Sequence, residues 1–149
     1  MRMRGFFWLF GLGLAIAACG DGDGGGIPDT NLAGMIDGQA FSFVSGRSEV
    51  DTEQDCIDID LFDQAGGCSV HMGSGLMVFF TTPSAEPGSY SLGMSHTVTL
   101  YNPDGNMNTI CTLGRVELES GDGVIEGGLT ASYDDENHVA GRFTIDICQ

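Results

Sequence analysis

Apolar and polar residues alternate with a period of two through most of the chain. Ile57, Ile59 and Leu61 are separated by Asp58 and Asp60, Val98 and Leu100 by Thr99, and Val116 and Leu118 by Glu117. Ile125, Leu129, Ala131 and Tyr133 interleave with Glu126, Thr130 and Ser132, and Val139, Phe143, Ile145 and Ile147 with Arg142, Thr144 and Asp146. Successive side chains of a strand point to opposite faces, so each segment reads as a strand with one buried and one wet face, as in antiparallel sheets. Residues 76–80 (LMVFF) are apolar on both parities and predict a central strand covered on both sides. No long segment repeats its apolar residues at helical spacing.

Turn residues punctuate these runs. Asp37-Gly38 predicts a tight hairpin between 32–37 and 40–45, because both residues accept positive φ. Further turns are expected at 64–67, 87–88, 102–105, 121–123 and 134–137. In the 102–105 turn Pro103 presets φ and Gly105 is expected to take the left-handed position. Gly127-Gly128 inside a strong strand predicts a bulge or a close approach. Strands recurring about every ten residues imply an all-β fold, an antiparallel sandwich or barrel of about seven to nine strands connected mostly as a meander. Residues 27–149 suffice for one such domain and are too few for two.

The start of the chain is different. Arg2 and Arg4 precede an unbroken apolar run over 5–18 that ends in Ala17-Ala18. A positive start, an apolar middle and a small-residue exit are the layout of a secretory signal peptide, here 1–18, and the run is shorter than the roughly 20 residues a spanning helix needs. Ile16-Ala17-Ala18-Cys19 resembles the lipobox of bacterial lipoproteins. The resemblance implies diacylglycerol on the Cys19 sulfur, cleavage before Cys19, and a cell-envelope protein whose partner is the lipid bilayer. Gly20 after that cysteine, where an aspartate would favour the inner membrane, implies the outer membrane. Residues 19–26 continue as a Gly/Asp-rich flexible leash. Within the domain, Gly34-Met35-Ile36-Asp37-Gly38, Pro87-Gly88-Ser89-Tyr90 and the closing Val139, Gly141, Phe143 pattern resemble small β-rich domains of bacterial lipoproteins, a resemblance that brings no known activity with it.

Charge narrows the function. The full chain carries five arginines, no lysine and 21 carboxylates, a formal charge of −16. Removing 1–18 leaves Arg47, Arg115 and Arg142, and the charge falls to −18. Nucleic acid is excluded as a partner, since its phosphates require Lys and Arg. Anionic headgroups are repelled too, so acyl chains must do the anchoring.

Four cysteines besides Cys19 remain: Cys56, Cys68, Cys111 and Cys148. An even count in an exported chain predicts two disulfides. Cys56 opens the strand that ends near Phe62 while Cys68 lies beyond the next turn, and Cys111 is expected to open one strand while Cys148 closes another. Bridged Cα atoms must lie within about 7 Å, so neither 56–68 nor 111–148 is expected. The crossed sets, 56–148 with 68–111 or 56–111 with 68–148, remain open.

Catalytic constellations are weak. His71, His96 and His138 share no metal-ligand spacing. Ser74 in Met72-Gly73-Ser74-Gly75 lacks the glycine spacing and the helix of a nucleophile elbow and reads as a loop. Asp58 and Asp60, on one face of one strand at roughly 6.5–7 Å, have the separation of paired acids in inverting glycoside hydrolysis. The only tryptophan, Trp8, leaves with the signal, so the usual aromatic sugar platform is missing. Acidic clusters at Asp58 and Asp60, and at the hairpin tip Asp134, Asp135, Glu136 and Asn137, are candidate calcium ligands, since calcium takes six to eight oxygens. Otherwise no cofactor is expected. The reading is a membrane-anchored, non-catalytic binding or structural β-domain with a protein or glycan partner. A calcium- or glycan-binding module, the latter using Tyr90, Tyr101 or Tyr133, is the alternative, and an envelope hydrolase or enzyme inhibitor the second.

Overall fold

The computed structural model describes residues 26–70, 73–84, 86–120 and 123–148. The signal-peptide and lipidation assignments, including Cys19, and His71 lie outside them. Eleven strands follow in order: β1 (Ala33–Ile36), β2 (Gln39–Ser42), β3 (Ser45–Asp51), β4 (Cys56–Phe62), β5 (Met77–Thr81), β6 (Ser89–Ser91), β7 (Val98–Asn102), β8 (Met107–Cys111), β9 (Leu113–Ser120), β10 (Val124–Asp134) and β11 (Asn137–Ile147). A single 3₁₀ turn, Gly67–Ser69, is the one helical element among the described residues. No helix there is long and apolar enough to cross a membrane.

All strands belong to one sheet curled into a half-barrel. Its main path runs β6-β9-β10-β11-β3-β4-β5-β7-β8, and the β1–β2 hairpin attaches to β11. The fold is therefore all-β as the alternation predicts, its main path of nine strands at the top of the expected seven to nine, with the β1–β2 hairpin beside it. Strands β3, β6 and β8 carry little signal, because SGRSEVD, SYS and MNTIC do not alternate cleanly. The named strands pair antiparallel except at one seam, where β11 runs parallel to β3 with Asp146 opposite Arg47 and Ile147 opposite Ser48, and an isolated parallel bridge joins Asn31 to Arg142. That seam joins two meanders, so the connectivity departs from a simple up-and-down order.

The inward parity of each strand forms the core. Leu32, Ile36 and Phe41 come from the first hairpin, Ile57, Ile59 and Leu61 from β4, and Val78 and Phe80 from β5. Val98 and Leu100 from β7, Val116 and Leu118 from β9, Ile125 and Leu129 from β10, and Val139, Phe143 and Ile145 from β11 join them. As expected, β5 is covered on both sides. Val78 faces this core, while Met77 joins Phe62 and Val70 in a small cluster on the outer face, with Phe79 and Tyr101 packed against it.

Among the described residues the turns follow the sequence with one exception, and the turn expected at 121–123 lies largely outside them. Asp37 (φ 51°) and Gly38 (φ 71°) both adopt the left-handed region of a two-residue hairpin. In the β7–β8 turn Asn106 (φ 49°), not Gly105, takes that conformation. Gly105 is small for a different reason: a Cβ there would sit 2.9 Å from Asp37 Oδ2 of the neighbouring hairpin. Gly127 and Gly128 mark a close approach and no bulge, since their register is continuous. A Cβ on Gly127 would meet Phe143 Cζ at 2.6 Å, and one on Gly128 would meet Ile27 Cγ2 at 2.8 Å.

The expectation of two disulfides is corrected to one. Cys68 and Cys148 are bridged, with Cα atoms 5.8 Å apart, and Cys56 and Cys111 are free and buried. Cys111 closes β8 and does not open a strand. Cys56 stands on β4, three strand spacings away on the sheet path, about 14 Å at the usual spacing. The strand parities also differ, with Cys111 paired to inward Val98 and Cys56 two residues from outward Asp58. No 56–68 or 111–148 bridge forms.

Candidate functional site

The hairpin tip proposed for calcium is built around Asn137. Its Oδ1 accepts from the Asp37 backbone N–H at 2.9 Å, and its Nδ2 donates to Asp134 Oδ1 at 3.0 Å. Asp134 Oδ1 also accepts from the Glu136 N–H. Asp37 in turn accepts from Asn102 Nδ2 at 3.0 Å. Three turns are thus tied together by side chains, and Asn137 and Asn102 are buried while Asp135 and Glu136 are exposed. The Asp134 carboxylate closes its own turn. Among the described residues no three His, Cys, Asp or Glu side chains converge as a metal site. Replacing Asn137 by alanine removes both bonds and leaves the half-buried Asp37 N–H without this partner, a loss of about 1–3 kcal/mol. Thermal denaturation of Asn137→Ala measures it directly.

Asp58 and Asp60 lie on the outer face of β4, as the alternation requires, and each is engaged across a strand. Arg47 Nε donates to Asp60 Oδ2 at 2.8 Å from the register position opposite it on β3. Thr81 Oγ1 donates to Asp58 Oδ1 at 2.6 Å from β5. The Arg47 guanidinium also stands 5.9 Å from the Phe62 ring centroid. These contacts hold β4 to both neighbours beside a shallow cavity of about 330 Å³ bordered by Glu49, Phe79 and the Cys68–Cys148 bridge.

A larger groove of about 510 Å³ crosses the outer face of β9, β10 and β11. Arg142 lies in it, 3.6 Å from Asp29 and 4.0 Å from Glu117, and Arg115 pairs with Glu117. Glu119 and Glu126 stand directly opposite one another on adjacent strands. Like charges so placed repel, and the partly exposed arginine pairs offset little of that. This face is strongly acidic and carries Phe43 as its half-buried aromatic.

The tyrosines do not gather. Tyr90 packs against the core from β6, Tyr101 lies on the outer face of β7, and Tyr133 is exposed at the end of β10. Ser74 sits in the loop before β5, bonded to Gln64 Nε2 at 2.8 Å. His138 pairs on β11 and His96 closes the loop before β7 through its carbonyl.

Burial raises both free thiols above the usual thiol range. The Cys111 thiol is pushed up to about 11, first by burial and then by Asp134. Burial, followed by Asp58, Asp51 and Asp55, also raises Cys56. Thiolate is the reacting species, so both shifts disfavour reaction of these cysteines at neutral pH. Because the folded Cys111 keeps its proton more firmly than the unfolded chain, its contribution to stability is complete below about pH 9 and is lost as pH rises towards 11. Iodoacetamide at pH 8 is expected to label Cys111 only after denaturation, which mass spectrometry of the alkylated peptide checks.

Part of the surface carries almost no charge. Between Asp63 and Arg115 the only charged side chains are Glu86 and Asp104. This stretch supplies β5, β7 and β8, three consecutive strands at one end of the sheet. The same stretch also supplies β6, at the opposite end of the sheet path. No family model, curated protein or solved structure matches the chain.

Proposed function

We propose that the chain is exported and held at a membrane by lipid on Cys19, and that residues 27–149 act there as a binding or structural domain without a catalytic centre. The observation that supports export is the Cys68–Cys148 bridge, because disulfides persist in oxidising compartments and are rare where thiols are kept reduced. Segment 16–19 supplies the anchor, and several acyl chains bind a bilayer where one would be marginal. The Gly/Asp leash and the charge of the mature chain keep the domain clear of anionic headgroups, on the outer membrane as Gly20 implies. A binding role, and not catalysis, is supported by the engagement of Asp58 and Asp60 in cross-strand contacts.

Cys19→Ser in the full chain tests the anchor. The native protein is expected in the membrane fraction with incorporated radiolabelled palmitate, and the variant in the soluble fraction without it. Membrane retention of an unlabelled native protein would overturn the reading.

A further inference from the structure

We propose that Cys56 is a thiol of assembly: it forms the first disulfide of the folding chain, with Cys68, and releases Cys68 to Cys148 when β11 docks against β3. Spacing is the first reason. Cys56 and Cys68 stand only twelve residues apart, whereas the final bridge spans 80. The chance that two points on an unfolded chain meet falls with about the 3/2 power of their separation. Cys68 therefore meets Cys56 on the order of tenfold more often than it meets Cys148. Every pairing that includes Cys111 closes a loop at least three times as long as the one between Cys56 and Cys68.

Placement is the second. On β4, Cys56 has the parity of outward Asp58 and Asp60, and the Cys68–Cys148 bridge borders the cavity that those two aspartates line. Cys111 is fully buried on the inward face, opposite Val98. The Cys148 N–H bonds to the Ser48 carbonyl at 2.8 Å, beside the two register pairs of the β3–β11 seam, and Ser48 stands opposite Ile59 of β4. Closing the seam thus delivers the Cys148 sulfur to the face on which a Cys56–Cys68 bridge lies. In the first step Cys56 and Cys68 lose two protons and two electrons to a disulfide oxidant such as glutathione disulfide, which leaves as two thiols. The second step is exchange without net oxidation. The Cys148 thiolate attacks Cys68 Sγ, the Cys56–Cys68 bond breaks, and its electron pair leaves on Cys56 Sγ, which takes up a proton. The finished fold buries Cys56 as a free thiol, out of reach for the reverse attack. None of this depends on the membrane anchor.

Oxidative refolding tests it on the full chain carrying Cys19→Ser, in which the four domain cysteines are the only thiols. The reduced, urea-unfolded protein is diluted into glutathione buffer, stopped at intervals with excess iodoacetamide and digested beside acidic residues. Asp58, Asp60 and Asp63 separate Cys56 from Cys68, and Glu86 and Asp104 separate Cys68 from Cys111, so mass spectrometry reads each bridge from its own peptide pair. The 56–68 bridge is expected to lead 68–148 early by roughly tenfold and then to fall as 68–148 rises. A 56–68 species trapped in acid and returned to pH 8 without glutathione is expected to convert to 68–148, because the exchange needs no oxidant. Cys148→Ala is expected to stop at 56–68. A first bridge through Cys111, 68–148 appearing ahead of 56–68, or a trapped species that stays unchanged at pH 8 overturns the proposal.

Discussion

Replacing Cys68 and Cys148 together by serine is expected to destabilise the domain by about 4 kcal/mol, the loop-closure entropy released when a long crosslink is cut. The bridge spans 80 residues, from the turn after β4 to the residue after β11. For a domain of this size the loss corresponds to a fall in melting temperature of roughly 12–20 °C. Reduction of the native protein with a dithiol should reproduce the shift, which separates the crosslink from any effect of serine. The region loosened first should be the segment over Phe62 and Met77, since Val70, two residues from Cys68, completes that cluster. A shift below about 3 °C in differential scanning calorimetry would show that the unfolded chain is already compact around these residues.

Gly141→Ala is the second large effect. Gly141 adopts φ 137°, a region that L side chains rarely enter, and a Cβ there would lie 2.7 Å from both Leu32 Cα and Thr30 O. Both obstacles are backbone, fixed by the Leu32 N–H on the Arg142 carbonyl and the Arg142 N–H on the Thr30 carbonyl. Backbone strain and overpacking each cost about 1–3 kcal/mol, so a loss of about 3 kcal/mol or more is expected. Urea denaturation of Gly141→Ala, with Ala140→Ser on the half-buried neighbour as control, gives the number. A variant within about 0.5 kcal/mol of the native protein would mean that 30–32 can move aside.

The strands that alternate cleanly were readable because one face is dry and the other wet: β4, β7, β9, β10 and β11 all follow their sequence pattern. β3 was not, because Gly46 and Ser48 are its inward residues and neither is apolar by type. Gly46 is required there by crowding, since a Cβ would meet Ile145 Cγ2 at 2.6 Å. The parallel seam of β3 and β11 joins residues about a hundred apart, and no local signal encodes such a pairing. The cysteine expectation failed for the same reason: an even count says nothing of strand order, and strand order keeps Cys56 and Cys111 apart. Among candidate sites, the alternation put Asp58 and Asp60 on one face correctly. Their partners Thr81 and Arg47 come from neighbouring strands and could not be read from the spacing. The turn residues of 134–137 were legible, whereas the role of Asn137 as a clamp on Asp37 needed the third dimension.

The seam between β3 and β11 also sets the order of events for a polypeptide that emerges amino end first. Residues 45–51 emerge early, yet one of their two strand neighbours is delivered only with residues 146 and 147. Until then β3 keeps an unsatisfied margin, and the sulfur of Cys68 waits for that of Cys148. Such late, distant closure slows folding and leaves the half-made sheet open to strangers. A nascent molecule stalled a dozen residues short would lack both its seam and its crosslink, so folding completes only once residues 146–148 are in place.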